Sequence, residues 1–420
     1  MKIIPIKNSD QFLKKIGTKT SSKNQKIVES ILKDVKKNGD VALKKYEKKF
    51  GAKISSLRVS KREIASAYSK VSKEDLSAIK LAKSRLSKAE SAVRRQFKDI
   101  TVKSNGTKLS KSFIPIDSVG CYVPGGAARY PSSAIMSVIP AKIAGVKRIV
   151  VVSPPNSSGN IDPLTIVAAD ICGATEIYKT GGAQSIAALT YGTSSIKKVD
   201  KIVGPGGAFV TLAKYLVSNV VSIDMMAGPT ELGIVIDSAT DIDVAALDLI
   251  SQAEHSPDTF CYALTPSNSI AKKIQSIVDS KLRNIQRAKI VKSSLESNGF
   301  IGVCKVSDII DIANELAPEH LEIISKNPKK WSKIKNPGLI LYGKNSPSSA
   351  SDYLLGSNHI LPTNGFGKTR GSLSVLDFVK LLTKIETSKK DLQKISKSMK
   401  ALTLAEGLPN HYEAVRGRLK

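Results

Sequence analysis

The sequence predicts an α/β fold with two incomplete Rossmann-like parallel-sheet domains, a small N-terminal appendage and a helical C-terminal appendage. From about residue 110, short apolar runs alternate with helical segments, which is typical of parallel strands joined by crossover helices. A second series of the same kind begins near residue 231. Residues 23–100 and the chain from about 374 instead carry apolar side chains at helical spacing.

Length and composition indicate a soluble enzyme-sized chain. It has 420 residues, of which 41% are hydrophobic and 24% are charged, as is ordinary for globular proteins. No uninterrupted apolar run reaches membrane-spanning length, and the N-terminus lacks the apolar segment of a secretion signal. The four cysteines stand far apart at positions 121, 172, 261 and 304, as expected for buried side chains in a reducing compartment. We therefore predict a cytoplasmic protein without a membrane partner.

The formal net charge of +29 invites a nucleic-acid interpretation. The lysines are dispersed, however, and they do not interleave with aromatic residues as a single-strand platform requires. We favour a solvated basic surface with no nucleic-acid partner. The alternative, a basic nucleic-acid-binding protein, predicts binding that weakens steeply with salt.

The first strand–helix series predicts strands at 119–123, 148–153, 176–179, 201–203 and 220–223, with helices near 132–144, 163–171, 183–190 and 208–217. Most of these strands end in a turn rich in glycine or proline. Small residues there allow backbone amides to approach phosphates, although such turns also simply reverse the chain. A strict G-x-G-x-x-G fingerprint is absent. The turns are Pro124-Gly-Gly126, Pro154-Pro155, Gly181-Gly182 and Gly204-Pro-Gly-Gly207.

The second series predicts strands at 232–236, 260–264, 299–304 and 338–341, with helices at 240–255, near 268–282 and near 307–316. Thr240 or Asp241 is the expected N-cap of the helix that ends near His255. Gln252 and His255 lie three residues apart at that end, so they point the same way. They suit a metal or a polar substrate, whereas a backbone-bonded helix-end histidine is the alternative interpretation.

Three further polar clusters are candidates for chemistry. Glu319 and His320 follow a helix, where a loop can aim both into one cleft for proton transfer. Asp352 and His359 are separated by Gly356, and Glu406 and His411 flank a turn. An exposed turn or a satisfied core polar group is the alternative for each. Together the clusters offer mixed nitrogen and oxygen ligands suited to zinc: Gln252, His255, Asp352 and His411.

Several ordered blocks resemble one known family. They are Tyr122-Val-Pro-Gly-Gly-Ala-Ala-Arg-Tyr130, Gly181-Gly-Ala-Gln184, Ile202-Val-Gly-Pro-Gly206, Asp224-Met-Met-Ala-Gly-Pro-Thr-Glu231, Ser251-Gln-Ala-Glu-His-Ser-Pro-Asp258, Ala317-Pro-Glu-His-Leu321, Gly356-Ser-Asn-His-Ile-Leu-Pro-Thr363 and Ala405-Glu-Gly-Leu408. At this spacing the chain resembles the histidinol dehydrogenases, from about residue 25 to the C-terminus. A zinc hydrolase using Glu319 and His320, without nicotinamide, remains an alternative.

The resemblance implies a zinc- and NAD-dependent enzyme of histidine biosynthesis. It would oxidise L-histidinol through L-histidinal to L-histidine with two NAD molecules and one zinc ion per active site. It also implies a homodimer in which the C-terminal arm contributes to the partner's site. The division expected is 1–22 as a small N-terminal segment, 23–125 with 231–373 as the domain carrying the metal and acid/base residues, 126–230 as an inserted α/β domain, and 374–420 as the arm.

The resemblance also implies residue roles. Gln252, His255, Asp352 and His411 match the zinc ligands and, with Thr230, His320, His359 and Glu406, the substrate-binding positions. His320 would take the hydroxyl proton, for which a neutral imidazole is expected, and Glu319 would activate the water that hydrates the aldehyde. Tyr130, Gln184 and position 207 match cofactor contacts. Gly207 departs from the family, which usually has Asn there, so we expect weaker NAD binding.

Overall fold

The computed structural model describes residues 1–14, 24–125, 129–238 and 241–420. Its strands are β1 (Lys2–Pro5), β2 (Ile100–Ser104), β3 (Thr107–Pro115), β4 (Ser118–Tyr122), β5 (Arg148–Ser153), β6 (Glu176–Lys179), β7 (Lys201–Val203), β8 (Ser222–Ile223), β9 (Glu231–Ile236), β10 (Phe260–Thr265), β11 (Phe300–Val303), β12 (His320–Ile324), β13 (Leu339–Tyr342) and β14 (Val379–Thr387).

The helices alternate with most of these strands, which confirms the predicted α/β class. They are α1 (Ser9–Leu13), α2 (Gln25–Lys49), α3 (Lys61–Tyr68), α4 (Lys73–Arg94), α5 (Pro131–Ala144), α6 (Pro163–Cys172), α7 (Gly182–Tyr191), α8 (Ala208–Val217), α9 (Ile242–Ala253), α10 (Asn268–Lys281), α11 (Ala288–Ser297), α12 (Val306–Leu316), α13 (Ser348–Ser351), α14 (Lys389–Ala405) and α15 (Pro409–Leu419). Thr240 and Gly126, which carried two of the expectations above, lie outside the described residues.

A five-stranded parallel sheet has the order β6-β5-β4-β7-β8. Its strands are continuous apolar runs because helices cover both faces. Val151 of β5 points into the core shared with α4, α5 and α6, whereas its neighbours Val150 and Val152 point into the core shared with α2, α7 and α8. This alternation is the two-residue period of a strand.

A six-stranded parallel sheet has the order β1-β11-β10-β9-β12-β13. Helix α9 and helices α10 and α11 pack on one face, and α12 packs on the other with the buried Trp331. The N-terminal strand β1 pairs with β11 at the sheet edge. The expected small N-terminal segment therefore contributes a strand to this sheet instead of standing apart from it.

The strand pairing also differs from the expected grouping of residues 23–125 with 231–373. Strand β4 is the central strand of the five-stranded sheet, where it pairs with β5 and β7. The apolar sides of α2 and α4 are buried in the two cores of that same sheet. Burial of these helix faces accounts for the difference, because an amphipathic helix packs where its apolar stripe is covered.

The C-terminal arm begins with a strand that the helical prediction did not contain. Strand β14 pairs antiparallel with β3 along its whole length, and β2 completes a three-stranded sheet. Its sequence mixes apolar and polar side chains without regular alternation, and almost all of them are exposed. The rest of the arm, α14 and α15, is helical as predicted.

The two parallel sheets meet edge to edge through the loops at their ends. The chain leaves the carboxyl end of β8 and, after residues 224–230, enters the amino end of β9. In each sheet the strand order reverses once, between β4 and β7 and between β9 and β12. In open α/β sheets such a reversal opens a crevice outside the carboxyl ends of the strands. The short connection of residues 224–230 brings the carboxyl edge of the first sheet close to the amino edge of the second.

The part of the chain that the structure describes contains no helix that could span a membrane. None of its helices combines the length and the apolar composition that crossing a bilayer requires.

A buried ion pair orders the loop that follows β7. The side chains of Lys214 and Asp224 form this pair and are almost completely buried. Lys214 Nζ donates to the carbonyl oxygen of Gly204 (2.9 Å), and the Gly204 N–H donates to Asp224 Oδ2 (2.8 Å). Gly204 has φ +113°, and a Cβ there would lie 2.1 Å from the Tyr122 carbonyl oxygen. Only glycine fits, and the ion pair holds it by both of its backbone polar groups.

Replacement of Lys214 by alanine should therefore destabilise the chain by about 3–5 kcal/mol, because it leaves the buried carboxylate of Asp224 without its counter-charge. The free energy of unfolding in denaturant measures this. Lys292→Ala is the matched control, since its pair with Glu296 is exposed on both sides and should change stability by less than about 0.5 kcal/mol. Equal effects of the two substitutions would contradict the role given to the buried pair.

Candidate active site

Glu319 lies at the amino edge of the six-stranded sheet, directly before β12. Its backbone is set by Ala317, whose φ of +40° ends α12 and turns the chain back towards the sheet. Thr230 Oγ1 donates to Glu319 Oε2 at 2.6 Å, and the Glu231 N–H donates to the same oxygen at 3.0 Å. Burial raises the pKa of this carboxyl group. Glu319 is thus a buried, firmly oriented acid at a sheet edge.

The carboxyl group of Glu231, on the neighbouring strand β9, accepts a hydrogen bond from Glu319 in turn. Its Oε2 accepts a hydrogen bond from the Glu319 N–H (3.1 Å), while Oε1 accepts one from the Asn364 N–H (3.0 Å). Burial raises the pKa of Glu231 to about 7. Each glutamate therefore accepts the backbone amide of the other, which joins β9 and β12 at their first residues.

His320 is the first residue of β12 and is 1% exposed. The sequence predicted a loop at His320, whereas the structure places His320 in a strand. Its side chain faces Asp352. Its Nε2 lies 3.1 Å from Asp352 Oδ1, and its Nδ1 lies 3.9 Å from Glu319 Oε2. Burial alone would lower the pKa of His320, but the charges of Glu319 and Asp352 outweigh it and raise the pKa to about 9. Without a cation on Asp352, the two carboxylates thus favour the imidazolium, and the expected neutral imidazole stays a prediction for the metal-bound site.

Gln252 and His255 end α9 on the same side, as their spacing predicted. Gln252 is 2% exposed, and its Nε2 donates to Thr230 Oγ1 at 3.3 Å. His255 is exposed at the end of α9. Its surroundings nevertheless desolvate the ring, which lowers the pKa of His255 although the charge of Asp352 acts to raise it. Thr230 therefore connects Gln252 to Glu319, and Asp352 acts on both His255 and His320.

His359 completes the cluster from the segment that follows α13. Its Nδ1 donates to the Asp352 carbonyl oxygen (2.8 Å), and its Nε2 lies 3.4 Å from Ser133 Oγ at the start of α5. Burial lowers its pKa. Because α5 belongs to the five-stranded sheet, His359 bridges the facing edges of the two sheets. Gly356, with φ +88°, turns the chain between Asp352 and His359.

Glu406 and His411 are not brought to this cluster within one chain. Both are exposed on the arm, at the end of α14 and the start of α15. Among residues 1–14, 24–125, 129–238 and 241–420, no three His, Cys, Asp or Glu side chains are grouped so that they could hold a metal ion. Three of the four expected zinc ligands converge, and the fourth stays apart.

The expected cofactor contacts follow three strands of the five-stranded sheet. Tyr130 comes after β4, Gln184 after β6 and Gly207 after β7, so all three lie at its carboxyl edge. A cavity of about 530 Å³ opens beside Gln184, and its lining includes Lys26, Tyr46 and Phe209. This edge is the one that faces Glu319 and His320.

A buried glutamate on α2 holds Gln184 in place. Glu47 Oε1 accepts hydrogen bonds from Gln184 Nε2 (2.9 Å), the Thr180 hydroxyl (2.8 Å) and the Gly181 N–H (3.0 Å). Burial raises the pKa of Glu47. Its single oxygen thus organises the Gly-rich turn that precedes α7.

Gly207 leaves room where the family usually has a side chain. It is the N-cap of α8 with φ −65°, and a Cβ built on it would meet no atom within 4 Å among the described residues. Any residue type fits this backbone. The position is therefore open towards the cofactor edge, not closed by packing.

Sequence reasoning missed several buried acids around the site: Glu47, Glu231 and Glu322. A signal existed for the last two, because each is a charged residue inside an otherwise apolar strand. Such residues are almost never fully buried unless they are paired. Glu47 gave no comparable signal, since it stands on a helix among lysines.

Comparison with known proteins identifies close relatives. A family model described as histidinol dehydrogenase matches residues 14–419. The histidinol dehydrogenase of Methanocaldococcus jannaschii is 41% identical over 97% of this chain and 99% of its own length. That of Methanococcus maripaludis is 43% identical over 93% of this chain and 92% of its own. The crystal structure of histidinol dehydrogenase from Elizabethkingia anophelis superposes with a TM-score of 0.94 at 35% identity, covering 100% of this chain and 98% of the other.

Proposed function

The chain belongs to the histidinol dehydrogenase family, a family of NAD-dependent oxidoreductases of histidine biosynthesis, and from that premise we propose its full reaction. It oxidises L-histidinol through L-histidinal to L-histidine, using one zinc ion per active site and two molecules of NAD. The observation that carries the proposal is the convergence of Glu319, His320 and Asp352 with Gln252 and His255 at one sheet edge.

The donor set supports the metal. The amide nitrogen of Gln252 donates a hydrogen bond to Thr230, which leaves the amide oxygen as the atom suited to bind a cation. Asp352 uses Oδ1 on His320, and its second oxygen is suited likewise. With the imidazole of His255 and a second imidazole from His411, these are mixed ligands that zinc accepts. When bound, the metal would hold the imidazole and amine of histidinol, and NAD would supply the hydride acceptor.

His320 is the proposed base for the alcohol. A cation on Asp352 would offset part of the negative charge that favours the imidazolium and so leave the ring able to accept a proton. An alcohol gives up hydride more readily as its hydroxyl proton leaves, so a proton acceptor has to stand beside that oxygen. The hydrogen bond to Asp352 fixes the orientation of the ring and increases its basicity. Its position at the first residue of a central strand keeps it rigid.

Glu319 is the proposed base for water. The aldehyde must be hydrated before a second hydride can depart, and an oriented carboxylate can take a proton from the attacking water. Thr230 and Glu231 hold Oε2, which directs the other oxygen of Glu319 away from them. We propose no cysteine nucleophile for this step, because the four cysteines are buried and burial raises the pKa of each thiol. Their free state also agrees with our proposal of a cytoplasmic location.

Purified protein should form two NADH for each histidine produced from L-histidinol, and a strong chelator should abolish NADH formation. Addition of zinc should restore it, because the metal positions the substrate. Absorbance of NADH together with chromatographic measurement of histidine checks both points. A ratio of one, with histidinal accumulating, would contradict the second oxidation. Activity that survives complete metal removal would contradict the metal site, and hydrolysis without nicotinamide would favour the zinc hydrolase.

The exposed surface of the arm supports a homodimer in which the arm reaches the other chain. Leu381, Leu382 and Ile385 of β14 are exposed, and Ile385 keeps 65% of its surface. Leu402, Leu404 and Leu408, around the end of α14, are exposed as well. Leu381 and Ile385 share one face of β14, and exposed apolar side chains of this kind support an interface. The leucines around the end of α14 flank Glu406 and His411 in the chain, so a partner that covers them would receive both residues.

Two inactive variants should therefore complement each other. In a heterodimer of a His411→Ala chain with an Asp352→Asn chain, one of the two sites would combine an intact Asp352 with the other chain's intact His411. Co-expressed, differently tagged heterodimers should show about half of wild-type activity because a twofold dimer has two equivalent sites. Each variant alone serves as the control. Absence of activity in the heterodimer would place His411 in its own chain's site.

The cofactor is proposed to bind at the carboxyl edge of the five-stranded sheet, against Tyr130, Gln184 and the N-terminus of α8. Gly- and Pro-rich turns there let backbone amides approach the pyrophosphate. Glu47 orients Gln184, and the Lys214–Asp224 pair orders the turn before Gly207. An amide side chain is missing at position 207, so the cofactor loses one hydrogen bond relative to most of the family.

Gly207→Asn should lower the Michaelis constant for NAD about threefold to tenfold, which corresponds to one added hydrogen bond. The open space and ordinary φ at this position admit the side chain without strain. Initial rates at saturating histidinol measure the effect. Gly371→Asn, at an exposed glycine whose Cβ would also be unobstructed, is the matched control. An unchanged Michaelis constant in the first variant would contradict the assignment of this edge.

A further inference from the structure

A pair of carboxyl groups, Asp248 and Glu322, lies behind the site and has no part in the chemistry proposed above. Glu322 is the third residue of β12 and is 2% exposed. Its side chain is hydrogen-bonded to that of Asp248 on α9. Its Oε1 also accepts a hydrogen bond of 2.6 Å from the N–H of Ser348, the first residue of α13. One carboxyl group thus joins β12, α9 and α13.

The same three elements carry the candidate site. Asp248 stands one helical turn before Gln252 on α9. Glu322 stands two residues after His320 and therefore on the same face of β12. Ser348 begins the single turn that ends at Asp352. The pair thus connects the same three elements that carry the candidate site.

We propose that Asp248 and Glu322 are positioning residues that hold α9 and α13 in register on β12, so that Gln252, His255 and Asp352 meet one metal ion. This inference rests on the proposed metal site. The pair touches neither metal nor substrate; it acts through the elements that present the ligands. Loss of such outer partners typically lowers metal affinity about 10-fold to 100-fold.

The pair shares a proton. Two carboxylates this close, one buried and one half-buried, would repel each other, so one must stay protonated. Burial and the neighbouring Asp248 raise the pKa of Glu322 to about 8. In the register of the sheet, Ile234 and Leu341 lie beside Glu322, and α13 presents the Ser348 N–H. Among the described residues Asp248 is therefore the titratable group that faces Glu322, and it accepts the shared proton.

Two substitutions separate this role from simple packing. Glu322→Gln keeps both contacts, because its amide oxygen accepts from Ser348 and its amide nitrogen donates to Asp248. Glu322→Ala removes both. Zinc affinity of the full-length protein near neutral pH, measured by competition with a chromogenic chelator, should fall about 10-fold or more for Glu322→Ala. It should stay within about threefold of wild type for Glu322→Gln. Asp243→Ala, an exposed acid in the first turn of α9, is the matched control and should bind zinc like wild type.

The shared proton gives a second readout that needs no metal. A carboxyl group whose pKa is raised on folding stabilises the native state fully below its unfolded-state pKa, and this stabilisation is lost as the pH rises to the folded value. Gln at 322 does not titrate. Between about pH 5.5 and about pH 8.5, the melting temperature of wild type should therefore fall relative to that of Glu322→Gln.

Equal zinc affinity in wild type and Glu322→Ala would overturn the inference while leaving the metal site intact. Parallel melting curves of wild type and Glu322→Gln across the pH range would overturn the shared proton, and this comparison holds even where Glu322→Ala does not fold. A wild-type protein that binds no zinc would overturn both the inference and the proposed function. Reduced zinc affinity in the alanine variant together with its recovery in the glutamine variant is the supporting result.

Discussion

The structure depends on the exchange of hydrogen bonds between Glu231 and Glu319. Each carboxylate accepts the backbone amide of the other, where β9 and β12 begin at the reversal of strand order. A buried amide without a partner would cost about 1–3 kcal/mol, and here each of the two amides donates to the carboxyl group of the other glutamate. Asn364, held at φ +54°, supplies the remaining donor to Glu231. This closed arrangement sets the sheet edge on which Thr230, Glu319 and His320 are carried.

Buried charge also orders the opposite edge, although by different means. The Gly-rich turns of the five-stranded sheet have few side chains of their own to hold them. Glu47 gathers three donors of the turn before α7, and the Lys214–Asp224 pair holds both backbone polar groups of Gly204 before α8. The turns beside the proposed cofactor site are thus fixed by buried charged groups. The hydrogen bonds of these groups offset part of the cost of burying their charges.

Local features were predictable from the sequence, and non-local ones were not. Strands 148–153, 176–179 and 201–203 have the predicted bounds, because continuous β-branched runs between turn residues leave little ambiguity. The shared direction of Gln252 and His255 follows from helix geometry alone. Strand β14 was missed, since its exposed, mixed sequence becomes a strand only by pairing with β3, which is distant in the chain. The raised pKa of His320 was not foreseen, because Asp352, one of the two carboxylates that cause it, is distant in the chain.

The resemblance contributed most where local pattern is silent. Asp352 and His411 are unremarkable in their own segments. Their donor chemistry suggested a group with Gln252 and His255, and the family motif assigned that group as metal ligands. Conversely, the resemblance assigned no role to Glu231, Glu322 or Glu47, which the structure shows to be buried and fully engaged with neighbouring elements. Supporting residues of this kind emerge from contacts between strands and helices, and a single sequence does not report such contacts.

The nine-residue pairing of β14 with β3 affects how the subunits of the proposed dimer would associate and dissociate. The root of the arm is anchored on its own chain, so association requires no strand to be released and rewound. In the proposed homodimer, two folded chains would meet by docking preformed surfaces, and separation would leave each arm structured. Catalytic competence in such a protein would rise and fall with subunit concentration at a rate set by encounter, not by refolding.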